Sequence, residues 1–221
     1  MSEDAVVQRL REAIEPVMIC TDVDTCTFMA RDALNPSRLP AGEPVQPVCV
    51  VRPRCTEDVA SVLRVANAAK CPVIPMGGGS GLMGGASSVI PGIVLDLRQL
   101  QGIEIRPADR MAEVGAGVTI KALNEAAKPY GLMCGHDPWT VAVATVGGTI
   151  STNSLGYLGG KYGAMGDQVL GLEAVLPTGE VIRTRAVEKA STGPALQPLL
   201  VGAEGCFGVI TRAVLRLVPL S

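Results

Sequence analysis

Residues 75–85 read PMGGGSGLMGG, and six of the ten residues after Pro75 are glycine. Glycine loses more backbone freedom on ordering than any other residue and has no side chain to pack, so such a run cannot be the interior of a helix or strand. Its flanks say what kind of loop it is. PVIP before it and IVLDL (Ile93 to Leu97) after it are short apolar runs that read as buried strands. A glycine loop between two buried strands is either a mobile surface turn or a place where the backbone must approach a ligand closely.

Gly79 to Gly84, GSGLMG, match the G-x-G-x-x-G spacing of a dinucleotide fingerprint. That fingerprint works only when its last glycine opens a helix whose N-terminus receives the pyrophosphate. Here the run leads to Pro91-Gly92 and a strand, so the helix is missing and the match is accidental. No Lys-Ser/Thr pair follows the glycines, which excludes a Walker A loop. A phosphate cradle without a helix fits: successive N–H groups can converge on an anion, and Ser80 adds a hydroxyl. No Lys or Arg lies between residues 71 and 97, so neutral donors would do the work.

The chain of 221 residues is long enough for one domain with a good core or two lobes sharing one. It is 48% hydrophobic but only 3% aromatic, so that core must be aliphatic. A net charge of -2 gives no reason to expect nucleic acid or an acidic membrane surface as partner. No apolar run approaches the ~18 residues of a membrane span, and the charged N-terminus lacks the layout of a secretory signal, which implies a cytoplasmic location. Seven cysteines, at 20, 26, 49, 55, 71, 134 and 206, form no C-x-x-C pair. They read as reduced and mostly buried thiols, and no metal site is expected.

Val6, Val7, Leu10, Ala13 and Ile14 recur at helical spacing, with Pro16 ending the first helix. Residues 31–47 read as loop. VCVV (48–51) is a short strand, and Thr56 is expected to cap a helix with apolar positions Val59, Val62, Leu63, Ala66 and Ala69. MAEVGAG (111–117) is a strand, and Thr119 opens a helix through Lys128, closed by Pro129 and Gly131. Residues 169–186 read as a hairpin turning at 177–180, and GVITRAVLRLVP as a long final strand. The first part alternates strand and helix to about residue 100, and the second is richer in strands. The pattern is α+β.

Further glycine clusters lie in TVGGTISTNSLGYLGGKYG (145–163) and VGAEGCFGVIT (201–211), with GHDPWT (135–140) before them. Close-approach backbone at several separate stretches suits a long extended ligand, and a dinucleotide suits it better than a mononucleotide.

Four ordered segments carry a resemblance: PMGGGSGLMGG, DPWTVAVATVGGTISTN, KYGAMGDQVLGLEAVLPTGEVIRT and STGPALQPLLVGAEGCFGVITRAVLRLVP. Together they resemble the FAD-binding (PCMH-type) domain of the vanillyl-alcohol oxidase / p-cresol methylhydroxylase flavoproteins. The similar subgroups are D-2-hydroxyacid (glycolate or D-lactate) dehydrogenases and alkyldihydroxyacetonephosphate synthase. The resemblance implies an N-terminal helix and loop over 1–46 and an FAD-binding domain over 47–221. Its two lobes, at about 47–100 and 101–221, would be a small strand–helix lobe and a larger, mostly antiparallel sheet lobe with helices. It implies FAD held by Met76, Gly77, Gly78, Gly79, Ser80, Gly81 and Leu82 at the pyrophosphate, and by Asp137, Pro138, Thr140 and Thr145 along the second lobe. Gly147, Gly148, Ser151, Thr152, Asn153, Ser154 and Tyr162 would sit toward the flavin or ribityl end, with Glu204, Gly205, Val209 and Ile210 packing nearby.

Two departures shape that expectation. Many relatives carry Arg or Lys where this chain has Met76, and some tether FAD through a histidine where it has Ser80, so FAD is expected to be non-covalent. The family continues into a substrate or cap domain, and none fits in this length. The implied function is the FAD-binding part of an oxidoreductase that oxidises a 2-hydroxy acid or related alcohol by hydride transfer to flavin N5. The alternatives are an FAD-carrying subunit inactive without a partner chain, or a non-redox flavin enzyme like alkyldihydroxyacetonephosphate synthase. No catalytic base is assigned. His136, the sole histidine, reads as a packing or hydrogen-bonding residue, and Trp139 as a core or flavin-edge aromatic. The uncovered face is expected to be apolar, consistent with a mean hydropathy of +0.33.

Overall fold

A computed structural model describes residues 2–38, 42–189 and 191–220. Residues 39–41, part of the expected loop over 31–47, lie outside the described residues. The strands are β1 (Ile19–Cys20), β2 (Cys49–Val51), β3 (Val73–Met76), β4 (Ile93–Asp96), β5 (Ile103–Arg106), β6 (Met111–Gly115), β7 (Leu132–Cys134), β8 (Val169–Val175), β9 (Val181–Arg183) and β10 (Val209–Pro219). The helices are α1 (Glu3–Ala13), α2 (Val23–Phe28), α3 (Thr56–Ala69), α4 (Ile120–Ala127), α5 (Val146–Ser151), α6 (Gly159–Tyr162) and α7 (Gln197–Leu200).

Two sheets divide the strands. The first has the order β1-β2-β4-β3. β2, β4 and β3 run parallel, and β1 adds antiparallel at the edge beside β2. Every residue of β2 and β4 is buried, as continuous apolar runs in a parallel sheet should be. The glycine run leaves the carboxyl end of β3, and the chain must return past the sheet to enter β4 in parallel. Outside the carboxyl ends of parallel strands is where open α/β sheets bind ligands. The second sheet, β5-β6-β10-β8-β9, is antiparallel throughout. Its eleven-residue β10 pairs with β6 and β8, and its last residues pair with β7.

Helix α3 joins the sheets. Its face of Val59, Val62, Leu63 and Ala66 is buried in one core that also holds Cys49, Val51 and Leu95 of the first sheet and Val114, Ala174 and Leu215 of the second. The N-cap of α3 is Cys55, not the expected Thr56. The Asp58 carboxylate accepts the main-chain N–H of Arg54 at 2.9 Å and of Cys55 at 3.2 Å, so the helix end is satisfied without Thr56. Thr56 is free to donate instead to Glu173 of β8, at 2.5 Å. Glu173 also accepts from Thr211 Oγ1 at 2.9 Å and from Arg183 Nε at 2.6 Å. Burial pushes its carboxyl up, but these three donors outweigh burial and hold it below the usual glutamate value.

Helix α4 starts as expected, with Thr119 accepting the N–H of Ala122 at 3.1 Å. Pro129 does not stop the chain: it sits in a 3₁₀ turn, Lys128–Tyr130, and Gly131 at φ +68° ends it. Strands β1, β5 and β7 and the short helices had no readable period. In β5 only Ile105 is even partly buried, so alternation is absent.

Candidate functional site

A cleft of about 340 Å³ runs between the lobes. The glycine run, residues 77–85, forms one wall, and α5 with the segments 138–145 and 204–210 forms the other. The volume is near the lower end for small-molecule sites, about 300–1,000 Å³. A dinucleotide must therefore extend beyond the enclosed part.

The glycine loop is built to leave its donors free. Among the described residues, no main-chain N–H from Gly77 to Gly85 donates to a protein acceptor. Seven of these residues in succession, Gly77 to Met83, line the cleft, and a row of free amides suits an acceptor-rich ligand. Gly79 takes φ +64°, open to glycine at no steric cost. The loop also touches the second lobe so closely that side chains do not fit. A Cβ on Gly78 would strike the carbonyl oxygen of Val143, and one on Gly77 would strike Thr145 Oγ1.

The loop is anchored from behind. Asp32, buried, accepts from Ser87 Oγ at 3.2 Å, from the N–H of Leu34 at 3.0 Å and from that of Ala86 at 3.5 Å. Ala33 N–H donates to the Gly81 carbonyl at 3.1 Å, and Ser88 N–H to that of Ala30 at 2.7 Å. The segment before residue 46 thus fixes the middle of the glycine loop, at Gly81, and the chain just after it. Nothing in the sequence pointed to Asp32 as an anchor, because its partners in the loop, Ala86 and Ser87, are more than 50 residues away.

The opposite wall is different. In α5, Gly147 N–H donates to the Ala116 carbonyl at 2.9 Å, Val146 N–H to that of Val118 at 2.8 Å, and Gly148 N–H to Thr145 Oγ1 at 3.3 Å. A Cβ on Gly147 would stand 2.8 Å from that of Ala116. These glycines serve close packing and have no donors to spare. The third segment closes onto the second: Gly202 and Glu204 donate their N–H groups to the carbonyls of Ile150 and Ser151.

Of the residues singled out in the sequence, Gly77, Gly78, Gly79, Ser80, Gly81, Leu82, Pro138, Thr140, Thr145, Gly147, Gly148, Ser151, Thr152, Ser154, Glu204, Gly205, Val209 and Ile210 line the cleft. Four do not. Met76 is buried behind the loop with Cys26, Met29, Val50 and Val94. Asp137 is not part of the wall, and its carbonyl accepts Tyr157 N–H at 2.9 Å. Asn153, at φ +44°, accepts Gly166 N–H through its side chain at 2.9 Å. Tyr162 accepts from Gln168 Nε2 through its main-chain oxygen and lies under the Lys161 ammonium, 4.8 Å from the ring centroid. Trp139 is exposed, not core, as are Leu82, Met83, Leu155, Tyr157 and Phe207. The only charged side chains on the cleft wall are Asp32 and Glu204, so attraction to an anion must come from amide and hydroxyl dipoles.

His136 is almost fully buried, and its Nε2 lies 2.9 Å from Ser154 Oγ. Burial pushes its pKa below the ordinary histidine value, against the opposing pull of Asp137. Next to it, burial raises the Cys134 thiol to about 11, which leaves it an inert neutral group.

A two-sheet α+β architecture, with a glycine cradle of free amides facing a small-residue helix across a cleft, defines a cofactor-binding domain for a long phosphorylated ligand. The profile of the family described as FAD binding domain matches residues 47–185, and the chain belongs to that family. It is 44% identical to a D-lactate dehydrogenase of Archaeoglobus fulgidus over 77% of this chain and 38% of that protein. It is 37% identical to glycolate oxidase subunit GlcD of Bacillus subtilis over 78% of this chain and 37% of that protein. Among solved structures, alkyldihydroxyacetonephosphate synthase superposes at TM-score 0.85 with 24% identity, covering 99% of this chain and 41% of that one. A p-cresol methylhydroxylase superposes at 0.82 with 22% identity, covering 98% and 43%. The chain thus spans about two fifths of the proteins it matches. Its cofactor is FAD. No helix among the described residues is long and apolar enough to cross a membrane.

Proposed function

We propose that the cleft between the lobes holds FAD non-covalently and that the chain is the FAD-binding part of an oxidoreductase acting on a 2-hydroxy acid or related alcohol. The free N–H groups from Gly77 to Gly85 carry this reading. They supply a row of neutral donors for a pyrophosphate, as the missing cations require. Bound FAD contributes the redox chemistry, accepting at flavin N5 the hydride from the carbon that bears the substrate hydroxyl. The protein's part is to bind and orient. Asp32 ties down the chain just after the glycine run, Gly147 lets α5 pack on Ala116 of its own lobe, and Gly205 lets the 204–210 segment close against Pro75 of the first lobe. Ser80 stands in the glycine run, where no histidine is present to form a tether.

No base is assigned to this chain. Asp32 is engaged with the loop, and His136 lies behind the wall. The half that selects the substrate is expected from further polypeptide, in the same chain or a partner. Leu82 and Met83, exposed on the cleft wall, favour such a cover. The test is to purify the protein, load it with FAD and record its visible spectrum, then add D-lactate or glycolate without oxygen. Flavin bands that bleach with a hydroxy acid support the full reading. Bands that form but bleach only when the missing half is added support the module form. A protein that takes up no FAD ends both.

A further inference from the structure

His136 has one hydrogen-bond partner, Ser154 Oγ at 2.9 Å. Its other ring nitrogen, Nδ1, is buried and has no partner among the described residues. The two neutral tautomers therefore differ in what they leave unsatisfied. With the proton on Nδ1, a buried N–H would be orphaned, which is rare in folded proteins and costs its full desolvation. With the proton on Nε2, only a lone pair is left bare, the more tolerated outcome. The imidazole then donates to Ser154 Oγ.

That assignment decides what Ser154 can do. Its oxygen is engaged as an acceptor, so its own O–H is available to donate. The nearest protein acceptor for it is the Thr149 carbonyl at 3.4 Å, beyond the usual O–H···O range of about 2.5–3.0 Å. Ser154 lines the cleft, whereas His136 does not. The hydroxyl is thus a donor with a poor internal acceptor, set beside α5, where the N–H groups of Val146, Gly147 and Gly148 are already used.

We propose that His136 is a positioning residue that, as the Nε2–H tautomer, holds the Ser154 hydroxyl as a hydrogen-bond donor to bound FAD. This rests on the cleft being the FAD site. It gives the second wall a neutral donor that its helix cannot supply, and it gives a role to a buried imidazole that packing alone would fill better with leucine.

Because His136 is the only histidine, nitrogen-15 NMR of the untagged protein reports one ring. The expected pattern is the Nε2–H tautomer, with ring signals that move on adding FAD. S154A and H136L are each expected to bind FAD about three- to tenfold more weakly, the loss of one hydrogen bond, and to shift the bound flavin's visible bands. H136Q, whose terminal amide can donate to Ser154, should restore both. In the S154A background H136L should change nothing further, because the imidazole acts only through the hydroxyl. The inference is overturned by an Nδ1–H tautomer, by S154A binding FAD with wild-type affinity and spectrum, or by H136L adding its own loss on top of S154A. Should H136L fail to fold, S154A and the tautomer decide alone. G79V separates this from the underlying reading: if it binds FAD like wild type, the cleft is not the FAD site. If it loses FAD while S154A does not, only the role of His136 and Ser154 fails.

Discussion

The two walls of the cleft are both rich in glycine, yet they use it for opposite ends. From Gly77 to Gly85 the main-chain N–H groups have no protein acceptor among the described residues, and all of these residues but Gly84 line the cleft. In α5 the N–H groups of Val146, Gly147 and Gly148 are all engaged, and the missing side chain lets the helix lie against Ala116. One wall uses glycine for its exposed dipoles and conformational range, the other for its lack of bulk. Substitutions should therefore fail differently on the two sides: loss of ligand with the fold kept, or loss of fold with the ligand following.

The largest effect is expected at Gly79. A β-branched side chain at φ +64° is strongly disfavoured, but no protein atom lies closer than 4.0 Å to the added Cβ. G79V should weaken FAD binding tenfold or more, the factor that ~1.4 kcal/mol of loop strain gives. Its apo melting temperature should stay within a few degrees of wild type. Isothermal titration and calorimetry check the pair, and a collapse of the apo fold would break the contrast.

G147A is the mirror experiment. The added methyl meets Ala116 at 2.8 Å and the core must shift, at a cost of about 1–3 kcal/mol. Thermal unfolding should fall by roughly 2–4 °C per kcal/mol, with apo and FAD-loaded protein affected alike. An unchanged melting temperature with lost FAD binding would mean that α5 resembles the loop after all.

The joint that sets the walls opposite each other is the Thr56–Glu173–Thr211 cluster. Its carboxyl is held below the usual glutamate value in the fold, so its contribution is complete above the unfolded value and is lost as pH falls through the folded one. His136 works in the same direction: its lowered value means the unfolded chain takes up the proton first as pH drops below about 6.5. Stability should decline from about pH 6.5 downward and faster below about 4.5. E173Q should flatten the lower part of that profile and cost about 1–3 kcal/mol at neutral pH. A profile identical to wild type would show that the lobes are joined by apolar packing alone.

The smallest effect concerns salt. With no Lys or Arg on the cleft wall, the anion is met by dipoles rather than by charges that ions screen. FAD affinity should change less than about threefold between 0.05 and 0.5 M salt. A steep dependence would place a cation at the pyrophosphate and refute the neutral cradle.

The sequence carried far where the information is local. The buried strands 49–51 and 93–96, the half-buried 73–76 and the long β10 follow from apolar runs. The absence of a helix after the glycines was legible in Pro91-Gly92, which ruled out the wrong nucleotide fold. The Thr119 cap was legible for the same reason, since cap and partner lie three residues apart. By contrast, the Thr56 hydroxyl was free for either a cap or a distant carboxylate. Only the packing of α3 on β8, 117 residues away in sequence, settled which.

By itself the sequence determined that close-approach backbone would occur at three places, because glycine density is a property of composition. It could not say which glycines were spacers and which were donors, because that depends on whether each N–H finds an acceptor once the chain is folded. Tertiary structure decided it through the carbonyls of Ala116 and Val118, which consume the first amides of α5, while the amides of the other loop find no protein acceptor among the described residues. It also seated His136 against Ser154 and buried Met76 among Cys26, Met29, Val50 and Val94. A hydrogen bond needs two partners within about 3 Å, and residues far apart in the chain are brought that close only by the fold.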